Sequence, residues 1–67
     1  MNIFAKRLKE LRKENNLSVT QLAKDLGLSY NAIRRWENEI QIPNIEMLAL
    51  IAKYFNETPN YLLGFED

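Results

Sequence analysis

The 67-residue chain is long enough for one small domain, and 46% hydrophobic with 27% charged residues is the balance of a folded protein rather than a disordered tail. It has no cysteine and no histidine, which excludes disulfide staples, Cys/His zinc sites, thiol nucleophiles and an imidazole base. No apolar run approaches the ~18 residues of a membrane span and no signal-peptide profile opens the chain, so a cytoplasmic protein is expected, with no cofactor or metal implied.

The apolar pattern is helical throughout. A first helix is expected from about Ile3 to Asn15, with Phe4, Leu8 and Leu11 at i, i+4, i+7 spacing on one stripe. Asn15-Asn16 ends it, because Asn tolerates the left-handed conformation. Ser18 followed by Gln21 fits a capping box in which each side chain satisfies a backbone donor, opening a second helix from Val19 to Leu26 that buries Val19, Leu22 and Leu26. Gly27 stops that helix, and Ser29 caps a third running from Tyr30 to about Asn38. Pro43-Asn44 opens a fourth over Ile45 to Phe55, with Glu46 at the positive end of the helix dipole. Thr58-Pro59 supplies a cap and a first-turn proline for a short fifth helix ending at Gly64. The expected fold is a single all-α domain of five helices over residues 1–67.

Net charge is zero, yet its distribution is lopsided. Residues 1–35 carry eight cations and three acids, whereas residues 36–67 carry one cation and six acids. Such a chain can turn a basic face to nucleic acid and stay soluble. Helices two and three are separated only by Gly27, Leu28 and Ser29, the three-residue turn of a helix-turn-helix unit over about 18–38. On a wheel of about 100° per residue, Tyr30, Asn31, Arg34, Arg35 and Asn38 fall on one face, and Ala32, Ile33 and Trp36 on the opposite, apolar one. Arg can donate two bonds to guanine, Asn can pair with adenine, and a Tyr ring can meet a thymine methyl, so the polar strip suits a major groove. A solvated helix would also present polar side chains there.

The stretch Leu11 to Gly64 resembles the helix-turn-helix domain of the Cro/lambda-repressor-like family, also called the xenobiotic-response-element family. The likeness rests on Leu17-Ser18, Leu22-Ala23, Leu26-Gly27, Ser29, Ile33, Trp36-Glu37-Asn38, Pro43, Leu48, Ile51-Ala52 and Leu62-Leu63-Gly64, and spans about residues 5–64. It implies that the third helix, about 30–38, is a recognition helix with Tyr30, Asn31, Arg34 and Arg35 at base-reading positions. By the same resemblance, Ser18, Thr20, Ser29, Asn38 and Gln41 fall at phosphate-contacting positions, and Arg12 and Glu37 match a structural salt bridge, with an Arg12–phosphate contact as the lesser alternative. Three departures stand out. Val19 replaces a Gln that often grips the backbone, Glu39 replaces the usual Gly after Glu-Asn, and Ile40-Gln41-Ile42 lacks basic residues. Each missing phosphate-contacting cation lowers the salt slope of log affinity by about 0.9, so modest affinity and shallow salt dependence are implied.

The resemblance implies double-stranded DNA as partner and a homodimer on a pseudo-palindromic operator, acting as a transcriptional regulator, a repressor first. Tyr61 and Phe65 are the candidate dimer-interface residues, against the alternative that every C-terminal aromatic closes the core. The competing function is a protein-interaction module of the same fold, such as an antitoxin or regulatory subunit, or a domain whose C-terminal partner domain is missing; the apolar Ile40 and Ile42 favour it. An enzyme is disfavoured, because Ser18 and Ser29 serve as caps and 67 residues leave little room for a pocket holding a base.

Overall fold

Five short helices fold in the computed structural model, which describes residues 2–67: α1 (Ile3–Glu14), α2 (Val19–Leu26), α3 (Tyr30–Glu37), α4 (Ile45–Tyr54) and α5 (Pro59–Leu63). All match the sequence reading to within a residue. Helices α1, α3 and α4 stop one residue early because Asn15, Asn38 and Phe55 are C-caps with ψ of 10°, 8° and 3°, outside the helical well.

Each helix is opened by a side-chain oxygen accepting from a backbone N–H three residues on. Asn2 accepts from Ala5 at 2.7 Å, Ser18 from Gln21 at 3.0 Å, Ser29 from Ala32 at 3.2 Å, Asn44 from Met47 at 2.8 Å and Thr58 from Tyr61 at 3.0 Å. The expected capping box at α2 is only half formed. The Gln21 amide turns away from Ser18 and donates to Asp25 Oδ1 at 2.7 Å, because its i+4 neighbour is a charged acceptor.

Each helix also ends the same way, with a residue at positive φ: Asn16 (56°), Gly27 (71°), Glu39 (63°), Asn56 (57°) and Gly64 (88°). The next residue's N–H then returns to a carbonyl of the last turn, as in Leu17 to Arg12, Leu28 to Ala23, Ile40 to Arg35, Glu57 to Ala52 and Phe65 to Asn60, at 2.8–3.0 Å. These are Schellman closures, which satisfy carbonyls that a helix end otherwise leaves orphaned. Glu39 is the costly member, since an ordinary L-residue in this conformation loses about 1–2 kcal/mol. Its carboxylate accepts from the Asn2 N–H at the start of α1, which ties this turn to the chain's first helix.

Packing follows from one residue per helix. The largest fully buried side chains are Leu8, Leu22, Ile33, Ile51 and Leu62, contributed in turn by α1 to α5. Around them, the Phe4 ring meets Trp36 edge-on with centroids 6.5 Å apart. Ala32, expected on the buried face, is only half-buried and packs at the edge of this core. At the far end of the chain, Arg7 clamps α5 to α1. Its guanidinium lies 4.2 Å from the Tyr61 ring centroid and donates to the Tyr61 and Glu66 carbonyls. No helix among the described residues is long and apolar enough to cross a membrane.

The two left-handed glycines are predicted to respond unequally to alanine. A Cβ at Gly27 meets open space, so Gly27→Ala pays conformational strain alone, about 1–2 kcal/mol. At Gly64 the new Cβ lies 2.7 Å from Ile3 Cγ2, which adds about 1 kcal/mol of overpacking. Urea unfolding followed by Trp36 fluorescence reads the difference, and equal losses would show that Ile3 swings clear at no cost.

Candidate nucleic-acid interface

Helices α2 and α3 pack on each other across Gly27-Leu28-Ser29, with Leu22, Ala23, Leu26, Ile33 and Trp36 buried along the core. This leaves the opposite face of α3 in solvent. Tyr30, Asn31, Arg34 and Arg35 are all exposed, Tyr30 at 49%. Tyr30, Asn31 and Arg34 make no side-chain hydrogen bond to another described residue, so their donors and acceptors face water.

Both helix N-termini of the unit lack an acid in the first turn. Ser18 and Ser29 use a hydroxyl lone pair to cap, so each O–H stays able to donate outward, where the helix dipole favours an anion. Thr20, Asn38 and Gln41 are also exposed. Gln41 carries a contact that local spacing does not suggest: its Oε1 accepts from Arg35 Nε at 2.5 Å.

Beneath the polar strip lies a buried ion pair. Arg12 Nε donates to Glu37 Oε2 at 2.7 Å, Arg12 Nη2 to Glu37 Oε1 at 3.0 Å, and Arg12 Nη1 to the Leu17 carbonyl at 2.9 Å. The Glu37 side chain is 2% exposed. Hydrogen bonding to the Glu37 carboxylate raises the Arg12 pKa further, against the opposing effect of burial, and the carboxylate's charge adds to it. With one nitrogen on Leu17 and two on Glu37, the guanidinium is engaged inside the fold. On the outer flank, Tyr54 donates to Asp25 Oδ2 at 2.6 Å. This bond and the one from Gln21 hold the Asp25 carboxyl below its usual range, and the same bond raises the Tyr54 hydroxyl. Among the described residues no group of side chains could hold a metal ion.

Comparison with known proteins agrees with this arrangement. The helix-turn-helix family matches residues 8–62. The chain belongs to this family, in its xenobiotic-response-element (Cro/C1-type) branch. It is 41% identical over 64 residues to the HTH-type transcriptional activator BcrR of Enterococcus faecalis, covering 96% of this chain and 31% of that protein. Its fold matches the P22 c2 repressor in complex with a synthetic operator, with a TM-score of 0.88 and 30% identity over 98% of this chain and 100% of that one. The biofilm regulator SinR in complex with DNA matches with a TM-score of 0.82 and 26% identity over 90% and 97%. The chain spans about half or less of the length of the curated relatives it matches. The named relatives are transcriptional regulators, with one antitoxin among them.

Other placements were less visible in sequence. Tyr61 is half-buried with its ring under Arg7, whereas Phe65 is 79% exposed. The clamp of Arg7 on α5 and the Gln21–Asp25–Tyr54 chain went unread; only the i, i+4 spacing of Gln21 and Asp25 signalled either of them.

Breaking the buried pair one side at a time is predicted to be severe. Arg12→Ala strands the Glu37 carboxylate and is expected to lose about 3–5 kcal/mol, comparable to the stability of a domain this size. The double variant Arg12→Met/Glu37→Met is expected to recover most of it. Circular dichroism at pH 7 with urea titration distinguishes them, and a folded single variant of near-normal stability would overturn the assignment.

Proposed function

We propose that this domain binds double-stranded DNA sequence-specifically as a homodimer on a pseudo-palindromic operator and represses transcription. The observation that carries the reading is the exposed strip of Tyr30, Asn31, Arg34 and Arg35 on α3, the second helix of a helix-turn-helix, in a chain that superimposes end to end on a repressor bound to its operator. In this reading α3 lies in the major groove with those four side chains toward base edges. Ser18, Thr20, Ser29 and Asn38 line the flanking backbones.

A second copy is supported by apolar surface that the core does not use. Phe65 (79%), Ile45 (83%), Ile40 (69%) and Ile42 (61%) are exposed, and Ile42 and Ile45 border an apolar groove of about 190 Å³ with Phe4, Pro43, Leu48 and Leu63. These exposed apolar side chains also support the second reading, a protein-interaction module.

The decisive experiment is selection of bound duplexes from a random DNA library at near-physiological salt. An enriched inverted repeat with half-site centres about 10–10.5 base pairs apart is expected. No enrichment from folded protein would favour the interaction module. On the enriched duplex, Arg35→Ala is expected to lose about 1–3 kcal/mol and relax one base position, with little change on random DNA. Equal weakening on both would make Arg35 a phosphate contact. Phe65→Glu is expected to reduce cooperativity on the inverted repeat in a mobility-shift titration while leaving half-site binding intact. Unchanged cooperativity would remove Phe65 from the interface.

A further inference from the structure

Arg35 is gripped twice by the segment that follows its own helix. Its carbonyl accepts from the Ile40 N–H at 2.9 Å in the closure of α3, and its side-chain Nε donates to Gln41 Oε1 at 2.5 Å. The loop that presents Gln41 is itself set by Glu39 at φ 63°, whose carboxylate accepts from the Asn2 N–H on α1. An arginine on an open helix face otherwise samples many rotamers and must lose that freedom on binding. With Nε held, the guanidinium samples fewer orientations, and its two terminal nitrogens remain as the fork that matches guanine O6 and N7.

From this geometry we infer that Gln41 is a specificity-determining positioning residue, which holds the Arg35 guanidinium for guanine recognition rather than serving chiefly as a phosphate contact. The inference rests on the reading of α3 as the base-reading helix. It assigns the positioning of the discriminating Arg35 contact to a residue outside that helix, in the loop where basic side chains are absent. Gln41 contributes by having the loss of freedom already made in the free protein.

The test uses the full chain with the duplex recovered by selection, the same duplex with 7-deazaguanine at the guanine assigned to Arg35, and a random-sequence duplex. Gln41→Met keeps size and removes the acceptor. It is expected to weaken binding to the selected duplex about 3- to 10-fold, the range set by freeing one rotamer-rich side chain, with under about twofold change on random DNA. The 7-deazaguanine penalty is expected to shrink, and Gln41→Met is expected to add nothing to it in an Arg35→Ala background. Gln41→Glu keeps the acceptor and is expected to retain the penalty. In the free protein, the Arg35 Nε–H signal in nitrogen-edited NMR is expected to be protected from exchange and to lose that protection in Gln41→Met. Equal weakening of selected and random duplexes by Gln41→Met would make Gln41 a phosphate contact and overturn the inference, as would an unprotected Nε–H in the parent protein. If Arg35→Ala itself leaves discrimination unchanged, or no duplex is enriched, base reading by α3 fails and the positioning role falls with it. Failure at Gln41 with Arg35 still discriminating overturns the positioning role alone.

Discussion

The Arg12–Glu37 pair joins the last turn of α1 to the last turn of α3, and through Leu17 it reaches the segment leading into α2. α1, α3 and the segment leading into α2 are therefore referenced to one guanidinium. A buried ion pair is a weak source of net stability, because removing both charges from water offsets most of their attraction. What it supplies is registry. Two parallel N–H···O bonds accept only one relative placement of the helices, whereas apolar contacts along Leu8, Leu22 and Ile33 would tolerate sliding. The tilt at which α3 shows its outer face follows from that constraint.

Helices of 5 to 12 residues do not persist alone in water. Here each is closed at both ends by its own local bonds, a side-chain acceptor at the start and a left-handed closure at the finish. Thus few backbone groups at helix ends depend on tertiary partners, and a small core centred on one fully buried large side chain per helix gathers them. The uneven charge sits on this scaffold without disturbing it, since Lys6, Lys13, Arg34 and Arg35 of α1 and α3 are exposed, whereas Arg7 and Arg12 are engaged in contacts with other elements of the fold.

Much of this was legible from residue order. Ser18, Ser29, Asn44 and Thr58 each announced a helix start, and Gly27 and Gly64 each announced an end, because caps and left-handed residues are local chemistry. Asn2, the cap of α1, and Asn56, at positive φ after α4, carry equally local signals. The polar strip of α3 was readable from angular spacing alone. The bond from Arg35 to Gln41 was not, since six residues across a turn fix no distance until the turn is built. The Tyr54–Asp25 bond between α4 and α2 spans 29 residues and depends wholly on tertiary placement. Gln21 shows the reverse failure: a familiar local pattern lost to a charged neighbour one turn further on.

Sequence separation orders these contacts in another respect. The α2–α3 unit closes over a three-residue turn, while Arg7 and Tyr61, which fasten α1 to α5, lie 54 residues apart. Closing that long loop carries the larger entropy, so the α1–α5 contact is expected to form late in folding and to open early. Opening there would bare Leu8 and Leu62 yet leave the turn between α2 and α3 intact. The domain is thus built so that the α1–α5 contact opens before the α2–α3 unit does.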